Sequence, residues 1–181
     1  MKFDRHVALA ALVLSGSALL SQPGASQAPP GGTEHAGDVI MMALPVLAVG
    51  TTLALEDHRG SRQFLIGFVA NASVTAGLKI LISKDRPDGS DDDSFPSGHT
   101  SIAFQSASFI HLRYGLRYGA PAYAAAALVG HSRVHSRRHF VEDVVVGAMI
   151  GTVSSLLSTA RLQPRLLVNT GGVGLGATLH F

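Results

Sequence analysis

Three polar clusters interrupt an otherwise apolar chain of 181 residues. The first is Lys79, followed by Arg86-Pro87. Lys79 lies inside an apolar run, where an ammonium is expensive without a partner. The second is Ser94-Phe95-Pro96-Ser97-Gly98-His99-Thr100. Pro and Ser ahead of an apolar run mark a helix start. First-turn N–H groups have no partners inside the helix and favour an anion. Gly98 lets a ligand come close to the backbone, and His99 at that spot could donate a proton. The third cluster is Ser132-Arg133, His139 and Asp143. On a helix, residues four apart share a face. A carboxylate there can keep one imidazole nitrogen protonated and leave the other lone pair free, as an activated nucleophile requires. Each cluster taken alone has a plainer reading: a snorkelling lysine, a capped helix carrying a histidine, and a solvated ion pair.

Composition narrows the setting. Hydrophobic residues make up 46% and charged residues 14%, and the mean hydropathy is +0.30. The charged share is well under the usual ~25%. This excludes a disordered polar chain and leaves a membrane-associated helical protein or an unusually apolar soluble one. There is no cysteine, which removes disulfides, thiol catalysis and cysteine zinc sites. A net charge of +2 is too weak to argue for nucleic acid. Asp91-Asp92-Asp93 lacks the alternating ligands, central glycine and distal glutamate of a calcium loop. It reads as an exposed loop that discourages highly charged substrates, and no metal is assigned.

Residues 1–28 have the layout of a signal peptide, with Lys2 and Arg5, the uncharged run Val7 to Leu20, and Ser26-Gln27-Ala28 as a small-x-small cleavage site. The alternative is an uncleaved first membrane helix. Residues 29–36, with Pro29-Pro30-Gly31-Gly32, read as a linker. A helical body over 37–162 then holds five apolar segments: Val39 to Leu55, Gln63 to Leu78, His99 to Ile110, Tyr118 to Gly130 and Val144 to Ala160. Little in them alternates with period two, so helices are predicted. Seventeen helical residues span roughly 26 Å, slightly under the ~30 Å hydrocarbon core. Helices apolar on most faces need lipid or a large core, which favours membrane embedding over a soluble bundle. The tail, 163–181, alternates from Val173 to Phe181, and Gly171-Gly172 can turn a hairpin. The expected class is therefore all-α: a membrane-associated bundle of about five helices, or six with an uncleaved first helix, and a short β-like tail.

Taken together and at these spacings, the three clusters resemble the tripartite signature of the type 2 phosphatidic acid phosphatase superfamily. That superfamily includes class A bacterial acid phosphatases and vanadium haloperoxidases. The resemblance spans roughly Leu78 to Ile150; the stretch between Pro87 and Pro96 is shorter than in many members, a departure that bears on the size of the lid over the site and not on the catalytic set. The resemblance implies a helical bundle carrying the motifs at one end, and hydrolysis of phosphate monoesters through a phosphohistidine with no cofactor. On this resemblance His139 is the nucleophile, held by Asp143. His99 protonates the leaving oxygen and then activates water. Lys79, Arg86 and Arg133 bind the phosphate, together with the Ser97 and Gly98 N–H groups and the Ser97 hydroxyl. Fixed cations and aligned dipoles suit the charge that grows on the equatorial oxygens. His111, His131 and His135 have no motif position, and Arg137 and Arg138 flank the site.

Two main readings follow from the resemblance. One is a lipid phosphatase of a bacterial inner membrane with its site facing the periplasm. Its candidate substrates are phosphatidic acid, phosphatidylglycerol phosphate, undecaprenyl pyrophosphate and lipid A phosphates. The other is a soluble periplasmic phosphatase of small esters. A vanadate-dependent haloperoxidase and an apolar scaffold without activity are weaker alternatives. The partners implied are a phosphorylated lipid or small phosphate ester and membrane lipid.

Overall fold

The computed structural model describes residues 31–159, and 161–169 and 172–180 as backbone strands. The expected signal peptide lies outside the described residues. Five helices follow one another: α1 Gly32–Ala54, α2 His58–Leu81, α3 Gly98–Tyr114, α4 Leu116–His135 and α5 Val141–Thr159. Each takes in one of the apolar segments, α1 as far as Ala54 and α5 as far as Thr159. The helices begin ahead of those segments because residues on the N-terminal side join the same hydrogen-bonded ladder. Residues 32–36, expected as linker, form the first turn of α1. α1, α2 and α5 are long and apolar enough to cross a membrane; 23 residues rise about 35 Å.

The starts of α2 and α3 are fixed by side chains. Asp57 caps α2 by accepting from the Gly60 N–H at 2.9 Å. Ser97 caps α3 by accepting from the Thr100 N–H. Helix α3 is central and touches all four others. Its close approach to α5 depends on Gly151, where a Cβ would fall 2.2 Å from the Ser101 carbonyl oxygen.

The polarity of the bundle is inverted relative to a water-soluble one. Ile80 and Leu157 are 84% and 81% exposed, while Asn71, Gln105, Ser106 and Ser155 are fully buried. Ser155 Oγ donates to the Gln105 carbonyl at 2.6 Å. A dry apolar core remains around Phe64, Phe68, Phe109 and Val129, with Phe64 set edge-on to Phe109 at 5.1 Å. Apolar exteriors this extensive need cover. Lipid supplies it, and helices then associate through small residues and buried hydrogen bonds. This is the membrane-associated bundle expected from the sequence.

The tail folds back as an antiparallel hairpin, β1 Arg161–Asn169 with β2 Gly172–His180. Residues 173–180 of the alternating stretch lie in β2. Asn169 pairs with Gly172.

Candidate active site

The motif residues collect at one end of the bundle. Lys79 is in the last turn of α2 and Arg133 in the last turn of α4. His99 opens α3 and Asp143 opens α5. Arg86 and His139 lie in the loops between.

His139 precedes α5 rather than lying on it, which changes the expected pairing. The ring Nδ1 is 2.7 Å from the Ser94 carbonyl oxygen and 4.0 Å from Asp143. The four-residue spacing is therefore not a helical one, and Asp143 does not hold the imidazole directly. Asp143 is fully buried, and its side-chain oxygens have other partners. Oδ2 accepts from Ser94 Oγ at 2.6 Å and from the Phe140 N–H at 2.9 Å. The second contact is the reach-back of a capping box at the start of α5. Oδ1 takes the Lys84 ammonium at 2.6 Å. Asp143 thus acts on His139 through Ser94, whose hydroxyl it holds and whose carbonyl holds the ring. The sequence reading assigns no site role to Lys84 and none to Ser94 beyond its place in the second cluster; Ser94 directs its backbone at the ring, and a backbone contact leaves no residue-type signal.

His139 is 5% exposed. Burial pushes its imidazole down to about 4; the Ser94 carbonyl opposes this, while the charges of Lys79 and Arg86 add to it. At neutral pH the ring is uncharged. With the proton on Nδ1, donated to Ser94, the Nε2 lone pair is free, which is the state a nucleophile needs. Burial works against the charge on Lys84, but the Asp143 and Glu142 carboxylates outweigh it and raise the ammonium.

His139 is also tied to Arg133. The Arg133 carbonyl accepts the N–H groups of both Arg138 and His139, at 3.0 and 3.2 Å. The Arg133 guanidinium is 4% exposed and reaches α1, donating to the Glu34 carbonyl at 2.8 Å and meeting Asp38 at 3.0 Å. Asp38 Oδ1 also lies 3.1 Å from His99 Nε2. Asp38 lies outside all three clusters, so spacing could not reveal it. The approach of α1 depends on Gly37, where a Cβ would fall 1.9 Å from Ser132 Oγ.

Lys79 and Arg86 share one partner, Asp93. Arg86 Nε donates to its Oδ1 at 2.9 Å, and Lys79 donates to its backbone carbonyl. The acidic run is therefore not simply an exposed loop: Asp93 turns inward. Ser97 also departs from expectation. Its N–H donates to the Asp143 carbonyl at 3.0 Å, and its buried hydroxyl caps α3 and pairs with Thr100. Both Ser97 groups thus have partners within the protein. A Cβ on Gly98 would meet Thr75 alone, at 3.8 Å, so that backbone stays approachable. Arg138 pairs with Glu34 at 2.8 Å and Asp88 at 3.3 Å, tying the motif loop to α1. Among the described residues no group of three or more His, Asp or Glu is arranged to hold a metal ion.

The family model of the PAP2 superfamily matches residues 6–166. The chain belongs to the PAP2 superfamily. Among PAP2 relatives, it is 32% identical over 143 residues to a lipid A 4'-phosphatase of Helicobacter pylori, covering 73% of this chain and 72% of that one. It is 40% identical over 90 residues to a lipid A 1-phosphatase of Porphyromonas gingivalis, covering 48% of this chain and 19% of that one. The PAP2 fold is shared with the crystal structure of a transmembrane PAP2 type phosphatidylglycerolphosphate phosphatase from Bacillus subtilis, at TM-score 0.57 and 25% identity over 86% of each chain. Aquifex aeolicus LpxE gives TM-score 0.54 and 23% identity, covering 87% of this chain and 96% of that one.

Proposed function

We propose that this PAP2 protein is a membrane phosphatase that removes a phosphate monoester from a lipid, with the phosphorylated sugar lipids of the lipid A class as first candidates. The observation that carries the reading is His139: buried, uncharged, and directed by the Ser94 carbonyl among Lys79, Arg86 and Arg133. The substrate class rests on the lipid A phosphatase relatives and on the lipid-covered exterior.

His139 Nε2 attacks phosphorus while the bond to the leaving oxygen breaks, forming a phosphohistidine. Lys79, Arg86 and Arg133 neutralise the equatorial oxygens, and the Gly98 backbone adds a dipole at the start of α3. His99 gives its proton to the leaving alkoxide. It then takes a proton from water, which attacks the phosphohistidine and frees inorganic phosphate. No cofactor enters either step. Asp143 and Lys84 serve as positioning residues through Ser94.

The site lies at a bundle end, where a lipid headgroup meets water. Arg59, Arg62, Arg113 and Arg117 lie at the opposite end or in its connections. We place that end in the cytoplasm, so that the site faces the periplasm of a bacterial inner membrane; Lys84, Arg137 and Arg138 then lie outside, and the orientation rests on the export-type segment expected at residues 1–28 rather than on loop charge. Several charges at the site end are paired, Lys84 with Glu142 and Asp143, and Arg138 with Glu34 and Asp88.

The test is phosphate release by detergent-solubilised protein from lipid A, phosphatidic acid, phosphatidylglycerol phosphate and nitrophenyl phosphate side by side. A strong preference for a lipid is expected. Hydrolysis of soluble esters alone, by protein that washes from membranes in salt, would replace this reading with the soluble acid phosphatase.

A further inference from the structure

We infer that Asp93 is a resident competing anion: its carboxylate sits on the two cations that take the substrate phosphate, and phosphate binds by displacing it. This rests on the reading of Lys79 and Arg86 as phosphate ligands. Arg86 turns Nε and Nη2 toward one oxygen, Asp93 Oδ1. Those two N–H groups are the pair that Arg presents to the oxygens of a phosphate, and here both are taken by the carboxylate. Lys79 lies 3.5 Å from Asp93 Oδ2. Two anions on the same pair of cations repel, so one must yield.

The loop is built for the side chain alone to yield. Its backbone is a small ladder: Lys84 N–H to the Asp92 carbonyl at 2.8 Å, Arg86 N–H to the Asp91 carbonyl at 2.9 Å, and Ser94 N–H to the Lys84 carbonyl at 2.9 Å. Asp93 is held on both sides, next to the Ser94 that directs His139. Its side chain is 40% exposed, so rotation carries the carboxylate into water. Lys79 keeps its bond to the Asp93 backbone carbonyl whichever way the side chain points.

The consequence is weaker binding of phosphate, whether product or inhibitor. Each ion pair that phosphate forms replaces one that Asp93 already makes. The net gain is the surplus of a dianion over a carboxylate, and the released phosphate departs readily instead of blocking the site.

The experiment measures inhibition constants of inorganic phosphate and vanadate in detergent for Asp93→Asn and, as a smaller neutral alternative, Asp93→Ser. Removing one unit charge a few ångströms from the phosphate should lower both constants about tenfold. Asp93→Glu, which keeps the charge, should stay near the parent value. Asp92→Asn, whose carboxylate accepts from the Ser83 hydroxyl instead, should change them less than about twofold. Unchanged or raised constants in folded Asp93→Asn and Asp93→Ser would overturn the inference, as would an equal fall in Asp92→Asn. Arg86→Ala separates the two levels of argument. If it leaves phosphate inhibition untouched, the phosphate-site reading itself fails. If it weakens inhibition while the Asp93 variants do nothing, the fault is in the competing-anion step alone.

Discussion

Asp143→Asn distinguishes a carboxylate that holds the imidazole from one that acts through Ser94. In the direct arrangement, an amide in place of the carboxylate leaves the histidine in the wrong tautomer and costs about 10⁴ in kcat. Here Nδ1 donates to a backbone carbonyl at 2.7 Å, with the carboxylate 4.0 Å away. The tautomer is set by Ser94, and the substituted amide could still accept from the Ser94 hydroxyl and the Phe140 N–H through its one carbonyl oxygen. What is lost is the 2.6 Å contact of Oδ1 with Lys84, which an amide NH2 meets as donor against donor. Lys84 keeps Glu142 at 2.8 Å. A hydrogen bond to a charged group is worth about 1.5–3 kcal/mol, so a stability loss of about 2 kcal/mol is expected. The effect on kcat should be near tenfold, or about 1.4 kcal/mol. The assays are thermal unfolding in detergent and initial rates on one lipid and one soluble ester. A loss near 10⁴ in protein that still melts cooperatively would show that Asp143 contacts the ring during turnover and would refute the relay through Ser94.

Other outcomes follow from the same geometry. His139→Ala should abolish turnover and any acid-labile phosphoprotein trapped from labelled substrate; normal turnover in that variant would place the nucleophile elsewhere. His99→Ala should lose at least about 10² in kcat on alkyl phosphates and much less on nitrophenyl phosphate, and equal losses on both would contradict the acid role. The His139 ring should titrate near 4 when followed by its nitrogen chemical shifts without substrate. Because this value lies below the unfolded one, the stability His139 contributes is complete above about pH 6.5 and declines as pH falls towards about 4; a ring titrating above 6 would remove the claim that it is neutral by burial. Gly37→Ala should cost about 1–3 kcal/mol by overpacking and should raise KM by moving α1 off Arg133, whereas a parent-like melt and KM would show that α1 does not need that approach.

The parts of this molecule visible in the sequence are those carried by side-chain type and spacing. Lys79, Arg86, His99, Arg133, His139 and Asp143 stand at the spacings of a family signature, so the resemblance implied their convergence before their distances were known. The helices were legible from their apolar segments. What escaped reading is carried by the backbone or by a register between distant helices. Ser94 orients His139 through a carbonyl, which any residue possesses. Ser97 looked like a phosphate ligand because a serine at a helix start offers both N–H and hydroxyl, yet both have partners within the protein. Asp38 reaches His99 and Arg133 because Gly37 lets α1 in, and neither residue belongs to a recognisable motif. The acidic run read as solvated because three adjacent carboxylates usually are, and one of them turns towards a cation pair formed by another helix and loop.

That pattern also explains how so small a bundle can hold its site firmly. Phosphoryl transfer asks the protein mainly for placed charges, and long side chains place charge poorly unless they are tethered. Backbone carbonyls supply several of the tethers here. Glu34 holds Arg133, Asp93 holds Lys79, Ser94 holds His139, and Arg133 holds the loop that presents His139. Carbonyls carry no net charge, so they fix the cations without neutralising them. The two exceptions at Lys79, Arg86 and Arg133 are Asp38 and Asp93, both about 40% exposed and therefore able to leave the cations they pair with. The buried carboxylate, Asp143, is instead directed away from the phosphate ligands and onto Lys84, Ser94 and the start of α5. Permanent contacts to those cations are thus largely neutral and the anionic ones are movable, as a site that must bind a phosphate dianion and then release it requires.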